Sequence, residues 1–277
     1  MPELDHAALC RCLMPAVLAA GACLLRCRAQ GVEGERKADG SPVSRADREA
    51  EDIILAGLAA AAPGVPVIAE EAVSAGRVPV FGDTAFLVDA LDGTMEYLGG
   101  GDDFTVNVAL VVGGAPVFGM MLAPASGRLF VTLGPSRAAA AQVEPACLLD
   151  TTMPALVDIA TTAAAPAGLR VLISRSHRSA ETDAFLARLH IARTARLGSS
   201  LKFGIIAAGE ADVYPRLGPT SAWDIAAGHA VLAAAGGTVT TLDGRPFTYL
   251  DKSRLAGPQP FLNPSFVAWG RASMTPA

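Results

Sequence analysis

The sequence has no excess of positive charge and no uninterrupted apolar run of membrane-spanning length. Its 22 Lys and Arg residues against 27 Asp and Glu give a net charge of −5, so no basic field is available to bind nucleic-acid polymers or anionic membranes. The longest apolar stretch near the start, residues 13–25, contains Pro15 and is too short to cross a bilayer. Asp5 precedes it and no Ala-x-Ala cleavage site follows, which argues against a signal peptide. We therefore predict a core helix and no stable membrane insertion.

The motifs of several large enzyme classes are missing as well. The Gly99-Gly100-Gly101 run is not followed by the spacing of a Rossmann loop, no lysine follows a glycine loop as in a Walker motif, and no Gly-x-Ser-x-Gly elbow occurs. The four histidines are scattered and form no His-Glu-x-x-His motif. A zinc enzyme is therefore not expected.

Cysteine is scarce, and its five residues are odd in number. Cys10, Cys12, Cys23 and Cys27 lie in the predicted first helix, whereas Cys147 is distant. Cys23 and Cys27 are one helical turn apart, but a zinc site would need other soft ligands at fitting spacing, and Cys147 does not supply them. We interpret the cysteines as reduced, buried thiols of a cytoplasmic protein.

With 277 residues, the chain can form one large domain or two smaller ones that share a cleft. Hydrophobic residues make up 51 % of it, and much of this is alanine in tracts at 59–62, 138–141 and 233–235, which we predict to be helical. Helices over 5–30 and from 44 to about 62 come first, and the polar connection between them turns over 37–44.

The rest of the chain divides at a stretch without clear periodicity, residues 136–168. Before it, strands are predicted at 66–69, 86–89, 104–112, 116–122 and 130–132. Gly113-Gly114 favours a hairpin, so this sheet should be largely antiparallel. After it, the predicted order is strand 169–174, helix 180–189, helix 200–208, strand 211–214, helix 224–235 and strand 238–241. We predict an α+β domain over 1–155 and an α/β domain over 156–277.

Acidic residues stand at the end of an apolar run. Residues 86–89 end at Asp89, Asp92 follows three residues later, and Gly93-Thr94 opens a short helix. Carboxylates this close repel each other unless a cation lies between them, and oxygen ligands suit Mg²⁺ or Mn²⁺. The amides of Gly93 and Thr94 would face an anion such as phosphate. The alternative is that Asp89 is an ordinary strand-end residue and Asp92 a helix N-cap.

Two further acidic positions give this motif a context. Strand 66–69 leads into Glu70-Glu71, and Trp223-Asp224 begins a helix far along the chain. In this order the set resembles the lithium-sensitive, Mg²⁺-dependent phosphomonoesterases related to inositol monophosphatase, and the likeness runs from about Asp39 to Phe266. Within that superfamily, residues 104–107, 174–177, 198–203, 214–216 and 261–264 resemble the CysQ-type 3′(2′),5′-bisphosphate nucleotidases.

The resemblance implies both a fold and a reaction. The fold would be the layered α/β/α/β/α sandwich of the inositol monophosphatase and fructose-1,6-bisphosphatase type, with the metals between the two halves. The reaction would remove the 3′-phosphate of 3′-phosphoadenosine 5′-phosphate to leave AMP, and would extend to the sulfated relative of that nucleotide. Such an enzyme would serve sulfur assimilation and be inhibited by lithium.

The resemblance also implies a set of metal ligands, namely Glu70, Asp89, Asp92, Asp224 and the carbonyl of Leu91. They would hold two or three Mg²⁺ ions, for which Mn²⁺ could substitute. Asp47 would support a more weakly held further ion. One metal would activate a water, oriented by Glu70 and Thr94, for in-line attack on phosphorus, and another would neutralise the leaving oxygen.

Substrate contacts are implied in the same way. Gly93, Thr94 and Asp224 would meet the phosphate that is cleaved, while Lys202 and Arg216 would hold a second phosphate. Hydrogen bonds to that phosphate, the ribose or the base would come from Ser174, Ser176, His177, Ser199 and Ser200. The alternatives are a solvated helix face for Lys202, a cap or core role for His177 and a packing role for Trp223.

Two rival functions stay open on the sequence. Inositol monophosphatase or fructose-1,6-bisphosphatase activity would use the same metal centre without the cation pair of Lys202 and Arg216. A non-catalytic sensor of phosphorylated nucleotides would have lost a metal ligand, and none of the expected ones is missing. The expected partner is a small bisphosphate nucleotide, with the chain a monomer or homodimer. The loop over 99–103 is richer in glycine than the family pattern, and its role is open.

Overall fold

A pair of packed helices begins the fold. In the computed structural model, which describes residues 4–31, 34–37, 42–149, 153–177, 179–257 and 259–271, they are α1 (His6–Ala29) and α2 (Arg45–Ala61). The side chain of Asp5 caps α1 by accepting from the amide of Ala8, and Ser44 and Asp47 form a capping box at the start of α2. The predicted turn falls partly on residues 38–41, which lie outside the described residues.

Helix α1 is a core helix, as predicted, but the prediction that its apolar stretch is short was wrong. It has 24 residues and, in the described chain, is the one helix long and apolar enough to cross a membrane. More than half of that apolar window, 56 %, is buried inside the protein. Its apolar residues, among them Leu13, Val17 and Leu24, pack with α2 against the larger sheet. The cysteine interpretation was wrong in part, because Cys12 and Cys147 are exposed.

The larger sheet has seven strands in the order β3-β4-β5-β6-β7-β8-β9. The strands are β3 (Val67–Ala69), β4 (Thr84–Asp92), β5 (Thr105–Val112), β6 (Ala115–Ala123), β7 (Arg128–Gly134), β8 (Arg137–Gln142) and β9 (Val157–Ile159). Strands β3 and β4 are parallel, and all later pairs are antiparallel, which confirms the predicted hairpins. A separate two-stranded ribbon joins β1 (Gly34–Arg36) to β2 (Pro42–Ser44).

The alanine tract at 138–141 is a strand, so the prediction that it is helical was wrong. It forms β8, which pairs on one side with β7 and on the other with β9. Ala138 and Ala139 are buried in the core beneath their neighbours. Sheet pairing on both sides therefore overrides the intrinsic helix propensity of alanine, which is a weak preference.

The smaller sheet has five strands in the order β11-β10-β12-β14-β13. They are β10 (Leu169–Ser174), β11 (Ile191–Leu197), β12 (Val213–Arg216), β13 (Thr238–Thr241) and β14 (Phe266–Trp269). The helices of this half are α5 (Ala180–Leu186), α6 (Leu201–Ala207), α7 (Ala222–Ala234) and α8 (Lys252–Leu255). The sequence reading predicted β10 and β13 but missed β11 and β14.

These elements form five layers. Helices α1 and α2 cover one face of the larger sheet, and α6 and α7 lie between the two sheets in one shared core cluster. Helix α5 packs on the outer face of the smaller sheet. Gly119 permits the close approach in the middle, because a Cβ there would lie 2.2 Å from the carbonyl oxygen of Ala227 on α7. The expected α/β/α/β/α sandwich is confirmed.

The predicted division of the chain at residue 155 stays a prediction. Strand β9 lies beyond that point and still pairs with the larger sheet, while the next strand, β10, belongs to the smaller one. The connection between the sheets therefore runs through residues 160–168, within the stretch that showed no periodicity.

Candidate active site

Acidic side chains meet where the two parallel strands of the larger sheet end. Strand β3 runs directly into Glu70, which begins α3 (Glu70–Ser74), and β4 carries Asp89 and Asp92. The prediction that the strand ends at Asp89 was wrong, because β4 continues to Asp92 with an irregular register between the two residues. Since the carboxyl ends of parallel neighbours lie at the same edge of a sheet, Glu70 is brought beside Asp89.

The structure assembles a compact group of three carboxylates from distant parts of the chain. Glu70, Asp89 and Asp224 each place an oxygen within 4.8 Å of the others. Burial, followed by repulsion from neighbouring carboxylates, raises the pKa of Asp89 and that of Asp224 well above the usual range. A divalent cation would relieve this repulsion, and a set of carboxylate oxygens suits a hard ion such as Mg²⁺. The residues present therefore fit the metal that the sequence predicts.

Asp92 lies beside this group without belonging to it. Its Oδ2 accepts from the amide of Ser200 at 2.5 Å and from the hydroxyl of Thr105 at 3.3 Å. Burial raises the pKa of Asp92 to about 6, against the opposing charge of Lys202. Asp92 thus links the acidic edge of the larger sheet to the start of α6, and its role as a metal ligand stays a prediction.

The turn after β4 orients a hydroxyl group. Gly93 adopts a left-handed conformation with φ of 95°, and a Cβ there would lie 2.9 Å from the carbonyl oxygen of Asp103. Helix α4 (Thr94–Leu98) follows, and the Thr94 hydroxyl lies 3.2 Å from Asp47 Oδ1 and from the Leu91 carbonyl oxygen. Asp47 is itself fixed, because its Oδ2 accepts from the Ser44 amide at 2.8 Å. The backbone and Asp47 therefore hold Thr94 in one orientation.

Lys37 is a site residue that the sequence reading missed. Its ammonium group lies 2.6 Å from Glu70 Oε1 and 2.6 Å from Glu71 Oε1. Burial disfavours the charged lysine, but the two carboxylates outweigh that effect and raise its pKa. No motif marks Lys37, because it lies in a polar connection and reaches the acidic edge only through the fold.

Glu51 is a second missed residue, and it supports the same edge from behind. Its carboxylate accepts from the amides of Glu71 at 2.8 Å and Ala72 at 2.9 Å. These bonds anchor the first turn of α3, which begins at Glu70. Burial raises the pKa of Glu51 to about 7.

The opposite wall of the cleft comes from the smaller half and is cationic. The Lys202 side chain is buried, donates to the carbonyl oxygen of Leu197 at 3.2 Å and to that of Ser199, and lies 4.8 Å from the centre of the Tyr214 ring. Burial lowers the pKa of Lys202 to about 8, and the charge of Arg216 adds to this effect. The alternative of a solvated helix face is therefore wrong for Lys202.

Arg216 is buried, and one of its N–H donors has no hydrogen-bond partner within the described residues. Its Nη2 donates to the Pro219 carbonyl oxygen at 2.7 Å, and its Nη1 lies 3.5 Å from the His177 carbonyl oxygen. Within the described residues, Arg216 Nε is the one buried side-chain nitrogen or oxygen without a hydrogen-bond partner. An unpaired buried donor is costly, so a site that satisfies it with a bound anion is favoured.

Three of the other residues predicted as substrate contacts line the cleft, and a fourth, Ser176, is exposed and bonds to a residue that lines it. Ser174, His177 and Ser199 line the cleft, whereas Ser176 donates to Glu96. Burial and the charge of Arg216 lower the pKa of His177. Ser199 has a positive φ of 48°, which is unusual for a residue other than glycine.

The side chains of Ser200 and Trp223 make contacts within the protein. The Ser200 hydroxyl donates to Asn107 Oδ1 at 2.8 Å. Trp223 is buried and packs on Phe261 with ring centres 5.3 Å apart, which supports a packing role.

The two walls enclose a cleft of about 270 Å³. Carboxylates from the larger sheet and from the start of α7 face Lys202 and Arg216 of the smaller half. Glu96, which no sequence motif indicated, also lines the cleft. The carboxylate side of the cleft can hold a cation, which can in turn bind an anionic group. Lys202 and Arg216 can bind a second anionic group on the other side.

Comparison with known proteins identifies the class. Residues 5–271 match the profile of the inositol monophosphatase family. This chain belongs to that family, and the resemblance found in its motifs is confirmed.

The relatives include two kinds of enzyme, a bisphosphate nucleotidase and an inositol monophosphatase. The chain is 38 % identical over 231 residues to the 3′(2′),5′-bisphosphate nucleotidase CysQ of Escherichia coli K12, which covers 83 % of this chain and 86 % of the relative. It is 34 % identical over 250 residues to the inositol-1-monophosphatase of Mesorhizobium japonicum, covering 86 % and 87 %. The crystal structure of CysQ from Bacteroides thetaiotaomicron superposes with a TM-score of 0.73 at 30 % identity, covering 98 % of this chain and 99 % of that one.

Proposed function

We propose that this chain is a Mg²⁺-dependent 3′(2′),5′-bisphosphate nucleotidase. It hydrolyses the 3′-phosphate of 3′-phosphoadenosine 5′-phosphate to leave AMP and accepts the sulfated relative of that nucleotide as a second substrate. The observation that carries the proposal is the pairing of an acidic group with two buried cations across one cleft. The 38 % identity to CysQ supports the same substrate class.

The acidic wall is where the scissile phosphate would lie. Glu70, Asp89, Asp92, Asp224 and the Leu91 carbonyl would hold the cations there. A divalent cation held by these ligands supplies Lewis-acid chemistry, because it makes water more acidic and neutralises charge on phosphate oxygens. Without such an ion, the carboxylates alone would repel a phosphate.

The chain's own residues position the attacking water. Glu70 and Thr94 both line the cleft, so we assign both side chains to hydrogen-bond a water placed in line with the scissile bond. Asp47 accepts from the Thr94 hydroxyl at 3.2 Å, so Thr94 can accept a proton from that water as it passes its own hydroxyl proton to the Asp47 carboxylate. The amides of Gly93 and Thr94 would stabilise charge on the equatorial phosphate oxygens.

The cationic wall explains why a bisphosphate is preferred over a monophosphate. Arg216 Nε is buried and lacks a partner in the described protein, and Lys202, whose pKa burial lowers to about 8, lines the same cleft. A second phosphate would satisfy both. Ser174, His177 and Ser199 line the cleft and would contact the phosphate or ribose, and we assign the same role to Ser176, which donates to the lining residue Glu96.

This assignment divides the work between the two halves. Residues up to about 155 would supply most metal ligands, and the remainder would complete the metal site through Asp224 and bind the nucleotide. The substrate is a small intracellular metabolite, which agrees with a cytoplasmic location. Cys10, Cys12, Cys23 and Cys27 form no disulfide, which fits the same reducing compartment.

Inositol monophosphatase activity is the second candidate, and a specific observation favours it. The chain is 34 % identical to an enzyme of that name over 86 % of its length. The acidic wall would serve either substrate, so the two candidates differ only in the use of Lys202 and Arg216.

The deciding experiment compares phosphate release from three substrates in the presence of Mg²⁺. 3′-Phosphoadenosine 5′-phosphate, inositol 1-phosphate and fructose 1,6-bisphosphate are supplied at equal low concentration. Preference for the nucleotide over inositol 1-phosphate by a factor of about 10 or more is expected, because one charge-assisted contact to the second phosphate contributes that much. Preference for inositol 1-phosphate would retain the metal chemistry and overturn the role of the cationic wall, preference for fructose 1,6-bisphosphate would overturn the nucleotide assignment, and no release from any substrate would favour the sensor.

A further inference from the structure

A second group of possible metal ligands lies outside the cleft, between the first two helices. Cys23 and Cys27 are four residues apart on α1 and so point from the same face of that helix. Glu49 on α2 meets them, and one ligand atom from each of the three residues lies within 4.8 Å of the others. None of these residues takes part in the reaction proposed above.

The three side chains converge on one point. Glu49 Oε2 lies 3.6 Å from Cys23 Sγ and 3.7 Å from Cys27 Sγ, so both thiols donate to the same carboxylate oxygen. The other oxygen, Oε1, is held by Arg45 one turn earlier on α2. This second contact fixes the carboxylate with Oε2 directed at the sulfur atoms.

The group is enclosed by protein on one side and open on the other. Cys23 is 1 % and Cys27 6 % exposed, whereas the Glu49 side chain is 33 % exposed. Arg26 Nη2 lies 3.2 Å from Cys23 Sγ, and its side chain is 58 % exposed. A guanidinium so exposed can move into solvent at little cost, which leaves an entry path to the sulfur atoms.

We propose that Cys23, Cys27 and Glu49 form a binding site for one thiophilic divalent cation of the Zn²⁺ class. Two sulfur atoms and one carboxylate oxygen supply three ligands, and a water completes a tetrahedron. On binding, the cation forms two metal–sulfur bonds and the two thiols each release a proton to solvent. No oxidant or reductant is needed.

The donor atoms separate this site from the one in the cleft. The cleft offers oxygen ligands from Glu70, Asp89 and Asp224, which suit Mg²⁺, whereas thiolates select softer metals. Burial raises the pKa of Cys23 to about 12, so without a metal the Cys23 thiol stays protonated and unreactive as a nucleophile. A bound cation would join α1 to α2 and stabilise the folded chain.

Co²⁺ is the probe, because thiolate ligands give it an intense charge-transfer band in the near ultraviolet and oxygen ligands do not. The full, reduced chain is titrated with Co²⁺ in excess Mg²⁺, which keeps the cleft occupied. We expect one equivalent of Co²⁺ to develop the sulfur band, and an added equivalent of Zn²⁺ to remove it. A titration that yields no such band overturns the proposal whatever the enzyme's activity.

Three variants locate the band. The double variant Cys23→Ser with Cys27→Ser should lose it, while Cys12→Ser, which changes an exposed cysteine of the same helix, should keep it. Glu49→Gln retains both thiols and should weaken Co²⁺ binding by about 10-fold or more. Phosphate release with Mg²⁺ shows that each variant is folded. A band that survives in the double variant, or Co²⁺ affinity unchanged in Glu49→Gln, contradicts the assignment.

Discussion

The two walls of the cleft are built in different ways. On the acidic wall, Glu70 directly follows β3, and Asp89 and Asp92 lie in the neighbouring β4, so their positions are set by sheet pairing. On the cationic wall, Lys202 comes from a helix and Arg216 from the end of a strand, and both are held by backbone carbonyl groups. The chemistry that a family shares can rest on the first arrangement, while the second can change with the substrate.

Asp92 shows how the walls are joined. Its carboxylate belongs to the larger sheet, yet it accepts from the Ser200 amide at the start of α6 in the other half. Lys202 follows two residues later. A change on one wall can therefore reach the other, and the predictions below separate effects common to all substrates from effects on the bisphosphate alone.

The largest expected effect is on the acidic wall. Asp89→Asn keeps the shape of the side chain but removes one charge from the group with Glu70 and Asp224. We expect kcat to fall by about 10² or more for every substrate, because cation binding and charge neutralisation are lost together. Phosphate release at saturating Mg²⁺ is the measurement, and Asp158→Asn, which alters an exposed acid paired with Arg137, is the control. Near-normal turnover in Asp89→Asn would contradict the metal assignment.

On the cationic wall, Arg216→Ala should weaken binding of the bisphosphate nucleotide specifically. Loss of a buried charge-assisted contact should raise KM for the bisphosphate nucleotide by about 10- to 100-fold. The value of kcat/KM for inositol 1-phosphate should change far less, since that substrate has no second phosphate. Arg216→Lys keeps the charge without the forked geometry and should recover part of the loss. An unchanged KM for the nucleotide would remove Arg216 from phosphate binding.

Sequence reasoning found the acidic wall because its residues stand in short motifs. Asp89, Asp92, Gly93 and Thr94 are nearly contiguous, and the apolar residues before them signal a strand. Lys37 and Glu51 carry no such signal. One reaches the site from a polar connection and the other from a helix interior, and only the folded chain shows that they meet Glu70 and its neighbours.

Secondary structure was likewise predicted where the local pattern is clear and missed where it depends on distant contacts. Most strands with buried, β-branched residues were predicted, whereas β11 was missed because it is an edge strand whose residues are largely exposed and include two arginines and two alanines. Strand β8 was read as helix because alanine favours helices when no partner strand is known. In both cases the deciding interaction is pairing with a distant strand, which local pattern does not contain.

A smaller effect is expected on the pH dependence of substrate preference, through Lys202 on the cationic wall. Lys202 has a pKa of about 8, lowered by burial, so its charge is present below that pH and is lost above it. The ratio of kcat/KM for the bisphosphate nucleotide to that for inositol 1-phosphate should therefore fall by about 10-fold between pH 7 and pH 9. Taking the ratio cancels the shared dependence of the metal chemistry.

A matched variant tests whether Lys202 causes this fall. Lys202→Met removes the charge at every pH, so the ratio should be low and flat across the same range. If the ratio for the unchanged protein is also flat, Lys202 does not contribute its charge to the second phosphate. If the ratio still falls between pH 7 and pH 9 in Lys202→Met, a group other than Lys202 causes the pH dependence.

The smallest expected effect concerns the glycine-rich loop over 99–103, which contacts the smaller half of the protein. Asp103 at its end accepts from the Gly198 amide at 2.9 Å and pairs with Arg175 at 2.6 Å, so the loop bridges the two halves just before Ser199 and Lys202. Arg175→Ala should lower the free energy of unfolding by less than about 1 kcal/mol, because the arginine is exposed. It should still raise KM for the bisphosphate by about 2- to 5-fold, since small displacements of binding groups weaken contacts. Arg137→Ala, at another exposed ion pair, should match the stability change and leave KM unaltered, whereas equal KM values in both variants would limit the loop to a structural link.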